Sequence, residues 1–118
     1  MVVADQCDDL HVDVERVAEA SAHVVGHDVA DDLADVFGAL ADPTRVRLIS
    51  ALARMELCVG ELAATVGMTM SAVSHQLRML RRLRLIRSRR EGRHVYYSLD
   101  DQHILMMFTC GLEHLEHE

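Results

Sequence analysis

Apolar residues recur every three or four positions along most of the chain, and the breaks between runs carry capping chemistry. In "DVADDLADVFGAL" the residues Val29, Leu33, Val36, Phe37 and Leu40 share one helical face. The next run, "ADPTRVRLISALARM", brings its own start signal. Asp42 can accept hydrogen bonds from free N–H groups, and Pro43 suits the first helical position, where its missing N–H has no partner to lose. Val46, Ile49, Leu52 and Ala53 are the expected inner face of that helix. "ELCVGELAATVGM" predicts a short helix stopped by Gly67, which takes a left-handed C-terminal conformation easily. Thr69 then caps "MSAVSHQLRMLRRLRL", with Val73, Leu77, Leu80 and Leu83 as its buried stripe. Two helices joined by a tight turn containing glycine make a helix-turn-helix.

The period changes in "LIRSRREGRHVYYSL". Leu85 and Ile86 on one side of "REG", and Val95, Tyr96 and Tyr97 on the other, predict a two-stranded hairpin with Gly92 in the turn. A hairpin directly after a helix-turn-helix is a wing. A last helix, "DQHILMMFTCGLEHLEH", starts around Asp100 or Asp101. The expected fold is mainly α with a β-hairpin wing, a winged helix-turn-helix spanning residues 28–118. Residues 1–27 are acidic, weakly periodic and read as an N-terminal arm with room for one short helix.

Composition refines this. The 118 residues are half hydrophobic but contain no Trp, so Leu, Val, Ala, Ile and Met must build the core. No apolar run approaches the ~18–20 residues of a membrane span. Asp5, Asp8 and Asp9 stand where an export signal would be basic and then apolar. Three widely spaced cysteines do not suggest a disulfide framework, so a reducing cytoplasm is the expected compartment.

The net charge of −7 looks wrong for a nucleic-acid binder, but it hides an asymmetry. All twelve basic residues are Arg, and eight fall between Arg78 and Arg93, opposed there by Glu91 alone. The first 42 residues hold eleven of the nineteen acids. Clustering of one sign marks an electrostatic footprint better than total charge does. Ser71, Ser74, His75, Gln76 and Arg78 on the second helix of the helix-turn-helix are candidate DNA contacts. Arg89, Arg90 and Arg93 are candidates on the wing. Operator DNA is therefore the expected partner, with neither a membrane nor a small organic substrate. No HExxH or equivalent suggests a hydrolase, and no enzyme activity is expected.

The last helix poses a geometric problem. Asp101 and His103 stand at its start, His114 and His117 at its end, and the middle is apolar. With a rise of ~1.5 Å per residue, His103 and His114 lie roughly 16 Å apart, whereas metal–ligand bonds are only ~2 Å long. Eleven steps of about 100° nevertheless return them to nearly the same face. Two such helices packed antiparallel about a two-fold axis solve the problem. Asp101 and His103 of one subunit then meet His114 and His117 of its partner. Ile104, Leu105, Met107, Phe108, Leu112 and Leu115 become candidates for the seam. Three imidazoles and one carboxylate suit a tetrahedral Zn(II) or Co(II) site without a ligand position for water, structural or regulatory in type. Cys110, in mid-helix, is expected to be a small packed residue.

Several of these segments together, "ALADPTRVRLISAL", "ELCVGEL", "SAVSHQLRMLRRLRLI", "GRHVYYSL" and the spacing Asp101-x-His103…His114-x-x-His117, resemble the ArsR/SmtB family of metal-responsive bacterial repressors. The likeness covers roughly residues 28–118 and is closest to the zinc-sensing SmtB branch. It implies a homodimer joined through its N- and C-terminal helices that binds operator DNA without metal and dissociates when metal binds. It also implies that Asp101, His103, His114 and His117 form the regulatory site. A second site would use Cys58 and Glu61, completed by Cys7 and His11 of the arm in "CDDLH". The resemblance further implies that His114 uses its second ring nitrogen to bond a backbone carbonyl near Arg84.

Zn(II) is the expected metal. Co(II) or Ni(II), with arm ligands such as His23 or His27, and Cd(II) or Pb(II), at the thiolate site, are the competitors. A structural zinc-bridged dimerisation module is the alternative to a sensor. Two departures from the family pattern matter. Gly60 stands where arsenic and cadmium sensors often carry a second Cys, and Met70 stands where relatives often begin the recognition helix with a polar residue.

Overall fold

A computed structural model of the chain describes residues 11–116. The chain divides at Asp32/Leu33 into two compact units. The first holds α1, Val14–Ser21, and the start of α2, His27–Ala39. Helix α1 is a genuine local element: Asp13 accepts from the N–H groups of Glu15 and Arg16 at 3.0 and 3.2 Å. None of its residues is buried.

The second unit continues through α3 (Pro43–Arg54), β1 (Leu57–Cys58), α4 (Val59–Val66), α5 (Met70–Arg82), β2 (Ile86–Glu91), β3 (His94–Leu99) and α6 (Gln102–Glu116). The expected winged helix-turn-helix is present: α4 and α5 form the helix-turn-helix, and β2 and β3 form the wing. Its local chemistry is as anticipated. Asp42 accepts from Arg45 N–H at 3.1 Å with Pro43 following. Gly67 sits at φ 71°, ψ 38° between α4 and α5, and Thr69 Oγ1 accepts from Ala72 N–H at 3.1 Å. Gly92 turns the wing at φ 63°.

Three details depart from the sequence reading. Leu57 and Cys58 are not helical: they form β1, a short third strand that pairs antiparallel with β3 in the order β1-β3-β2. On α3, Leu48, Ile49 and Leu52 are the buried positions, while Val46 is exposed. The apolar stripe is thus rotated towards Leu48, because α3 packs on α4 and β3 together. Cys110 is exposed rather than packed, since its side of α6 points away from Ile104, the one buried residue of that helix.

The core gathers Leu48, Ile49 and Leu52 of α3, Leu62 and Val66 of α4, Val73, Leu77 and Leu80 of α5, and Leu85, Ile86 and Ile104. Leu83 is only half-buried. The exit from α5 uses an unusual residue. Arg84 adopts φ 61°, its N–H bonds Arg81 O at 2.9 Å, and Leu85 N–H bonds Leu80 O at 3.0 Å. That is a complete Schellman cap, with arginine where glycine is the usual occupant.

Candidate DNA-binding surface and metal-ligand positions

Helix α5 buries Val73, Leu77 and Leu80, so its other side is turned outward. Ser71, His75 and Arg78 are exposed there, and Ser74 and Gln76 are half-buried on its flanks. Gln76 already has a partner: its Oε1 accepts from Arg45 Nε at 2.8 Å, and Arg45 Nη2 also donates to Met79 Sδ at 3.4 Å. Arg45 was not singled out in the sequence, since its partner lies 31 residues away.

The wing carries Arg90 and Arg93 as exposed cations. Arg89 is differently placed. Its Nε donates to both carboxylate oxygens of Glu56 at 3.0 and 2.9 Å, and Nη2 lies 2.8 Å from Glu56 Oε1. Nη1 reaches Glu91 at 3.2 Å, and the guanidinium carbon lies 5.0 Å from the Tyr96 ring centroid. These bonds, before the opposing effect of partial desolvation, hold the Glu56 carboxyl below its ordinary value. Arg89 therefore spans the sheet to the segment before β1 instead of projecting freely.

At the start of α6, Asp101 is both cap and candidate ligand. Its Oδ1 accepts from His103 N–H at 2.8 Å and Ile104 N–H at 3.4 Å, and lies 3.4 Å from His103 Nδ1. Partial desolvation pushes the Asp101 carboxyl up, but the His103 backbone, the His103 ring and the Ile104 N–H together hold it below its ordinary value. Both side chains are open to solvent, at 50% for Asp101 and 83% for His103. No hydrogen bond among the described residues engages Asp101 Oδ2, so one carboxylate oxygen is available to a ligand. His114 is exposed near the other end of the same helix, roughly 16 Å along the axis. His117 lies outside the described residues.

Cys58 and Glu61 are brought together by a capping interaction. Cys58 is the residue before α4, and its N–H donates to Glu61 Oε1 at 3.0 Å. That backbone bond and the Cys58 side chain hold the Glu61 carboxyl below its ordinary value, against the opposing effect of partial desolvation. His11 is exposed in the segment before α1, and Cys7 lies outside the described residues. Among the described residues, no three His, Cys, Asp or Glu side chains converge closely enough to hold a metal ion. Between α3 and α6 runs an apolar groove of about 390 Å³, lined by Leu40, Val46, Ile49, Ile104, Met107, Phe108, Gly111, Leu112 and Leu115.

The family model for the bacterial regulatory proteins of the arsR family matches residues 42–88, from the cap of α3 into the wing. The transcriptional repressor SmtB homolog of Synechocystis is 50% identical over 110 residues, covering 93% of this chain and 83% of that protein. The chain belongs to the ArsR/SmtB family. Another relative, the cadmium resistance transcriptional regulatory protein CadC homolog of Staphylococcus aureus, is 37% identical over 93% of this chain and 91% of its own length. The crystal structure of the antimony-specific transcriptional repressor AntR superposes with a TM-score of 0.72 at 40% identity, covering 80% of this chain and 86% of that one.

As an ArsR/SmtB-family protein, the chain is a winged-helix, metal-sensing transcriptional regulator, and the family is one of DNA-binding proteins rather than enzymes. No helix among the described residues is long and apolar enough to cross a membrane. For an ArsR/SmtB regulator the sequence missed two residues with clear structural work, Arg45 and Glu56. Each is half-buried and each grips a residue expected to meet DNA, Gln76 and Arg89 respectively.

Proposed function

We propose that this ArsR/SmtB regulator is a homodimeric repressor that binds operator DNA in its metal-free form. On this reading it releases DNA when Zn(II) is ligated across subunits by Asp101 and His103 of one protomer and His114 and His117 of its partner. The observation that carries the reading is the placement of exposed ligand side chains at opposite ends of α6, with an apolar groove beside them. A second copy of α6 running antiparallel supplies the missing ligands and covers the groove in one step, and isologous dimers are the commonest soluble oligomers. The donor set fits the metal: imidazole nitrogens and a carboxylate oxygen are what a four-coordinate zinc site uses.

Bound there, zinc supplies a crosslink between helices and no chemistry on a substrate. Asp101 contributes by holding the His103 end of the site in register, because one carboxylate oxygen caps α6 while the other stays available. Fixing the two α6 helices changes the spacing of the two α5 helices, and a coupling of a few kcal/mol suffices, since ~1.4 kcal/mol is tenfold in affinity. The resemblance implies that His114 conveys this to a backbone carbonyl in the region of Arg84, and Arg84 stands in the cap that ends α5.

A second reading, control by a thiophilic ion such as Cd(II) or Pb(II) at Cys58, is favoured by the contact between Cys58 and Glu61 and by the cadmium resistance named for one relative. Titrating zinc into the protein bound to a fluorescent fragment of its own promoter separates the two readings. DNA release by the wild type but not by a His114→Ala/His117→Ala variant supports the α6 site. Equal release by both moves control to Cys58 and the arm.

A further inference from the structure

Arg45 and Gln76 fix what the recognition helix can ask of DNA. An arginine side chain only donates hydrogen bonds. With Arg45 Nε at 2.8 Å from the Gln76 carboxamide, the group facing Arg45 must be the amide oxygen, and the –NH₂ must face away. The arginine is itself held. Its backbone N–H is bound by the Asp42 cap at 3.1 Å, and its Nη2 donates to Met79 Sδ at 3.4 Å, one turn along α5 from Gln76. Gln76 and Arg45 are both half-buried, and their contact is a side-chain bridge from α3 to α5.

We propose that Arg45 is a specificity-positioning residue that makes Gln76 a donor-only contact. This rests on the DNA-binding reading above. A free glutamine can present oxygen and nitrogen side by side, which is how it pairs with adenine, accepting from N6 and donating to N7. Here Arg45 occupies one lone pair of the oxygen and holds it towards α3, so the group turned the other way, towards DNA, is the –NH₂ donor. It therefore recognises an acceptor: guanine O6 or N7, thymine O4, adenine N7 alone, or a phosphate oxygen.

The test measures operator and unrelated DNA affinity by anisotropy for wild type, Gln76→Met, Arg45→Met and the double variant, with circular dichroism to confirm folding. Gln76→Met keeps the length of the side chain and removes the amide. It should lower operator affinity roughly tenfold, the scale of one well-placed hydrogen bond. Arg45→Met should lose a similar factor, and the double variant no more than either alone, since the two residues act as one unit.

Modified operators complete the test. Replacing adenines one at a time by purine, which lacks the N6 amine, should give no penalty that depends on Gln76. Removing single acceptors, namely purine N7 (7-deazapurines), guanine O6 (2-aminopurine), thymine O4 (5-methyl-2-pyrimidinone) or a phosphate oxygen (methylphosphonates), should reveal one position whose penalty vanishes in Gln76→Met and thereby identify a base or a phosphate acceptor. A Gln76-dependent penalty at purine would mean that the amide accepts from adenine N6 and would overturn the proposal, as would additive losses in the double variant. Failure of the wild type to prefer its operator at all would instead strike the DNA-binding reading itself.

Discussion

Arg89, in the middle of the wing strand β2, grips Glu56 with a forked contact at 2.8–3.0 Å, tying the wing to the residue just before β1. The pair lies across the sheet from sequence positions 33 residues apart. It removes one of the wing's cations from the pool available to phosphate. Glu56→Ala should therefore free Arg89 and strengthen binding to unrelated DNA at low salt. The dependence of log affinity on log salt should steepen by up to about one, the increment for one added phosphate contact. A slope unchanged or shallower in the variant would show that Arg89 already reaches DNA beside Glu56.

The same contact sets a pH dependence with a definite sign. The Arg89 hydrogen bond, first among the causes, holds the Glu56 carboxyl below its usual 4.5 in the folded chain. A depressed carboxyl stabilises the fold above its unfolded value, and that contribution disappears as pH falls through the lower, folded value. The wing should thus be unaffected between pH 7 and about 5.5 and should loosen only below about 4.5. Carboxyl chemical shifts of Glu56 followed through an acid titration check this. A midpoint at or above 4.5 would contradict the bond's role.

Arg84 is a place where the chain can be made more stable. A non-glycine residue at φ 61° carries a steric cost of ~1–2 kcal/mol that glycine does not. Arg84→Gly regains that and loses some to the freer unfolded chain. A net gain of about 0.5–1 kcal/mol is expected in denaturant unfolding. Destabilisation would mean that the Arg84 side chain makes up for its backbone.

Thr69 holds the first turn of α5 through its bond to Ala72 N–H. Thr69→Ala should cost about 1 kcal/mol and Thr69→Ser much less, because serine keeps the acceptor oxygen. Unfolding curves of the two variants give the comparison, and equal losses would assign the effect to the methyl group.

These local features explain why so much of the fold could be read in advance. Asp42–Pro43, Gly67, Thr69 and Gly92 act on the backbone within a few residues of themselves, so the sequence states their roles directly. What it could not state depends on partners far along the chain. Leu57 and Cys58 become a strand only because β3 lies alongside, pairing Leu57 with Tyr97 and Cys58 with Tyr96. Leu48 rather than Val46 turns inward because α3 contacts α4 and β3 at once. Gln76 and Arg89 read as free DNA contacts until Arg45 and Glu56 fold against them. The placing of His103 and His114 towards opposite ends of α6 follows from their spacing along one helix, whereas any use of them as ligands depends on a second helix.

Metal binding at α6 should be strongly proton-linked. Imidazole must be neutral to ligate, and its ordinary pKa is about 6.5. Zinc affinity should be flat above pH 7.5 and fall steeply towards pH 5.5, as measured by competition with a chromophoric chelator. A pH-independent affinity over that range would exclude three histidine ligands.

The proposed ligation across subunits has one direct test, subunit complementation. Asp101→Ala/His103→Ala and His114→Ala/His117→Ala each destroy both sites of their own homodimers. A mixed dimer of the two regains one complete site, formed by Asp101 and His103 of one protomer with His114 and His117 of the other. Zinc-driven release of promoter DNA should be absent from either variant alone and return when their subunits are exchanged. Release that survives in a homodimer, or fails to return in the mixed dimer, would contradict ligation across the α6 helices.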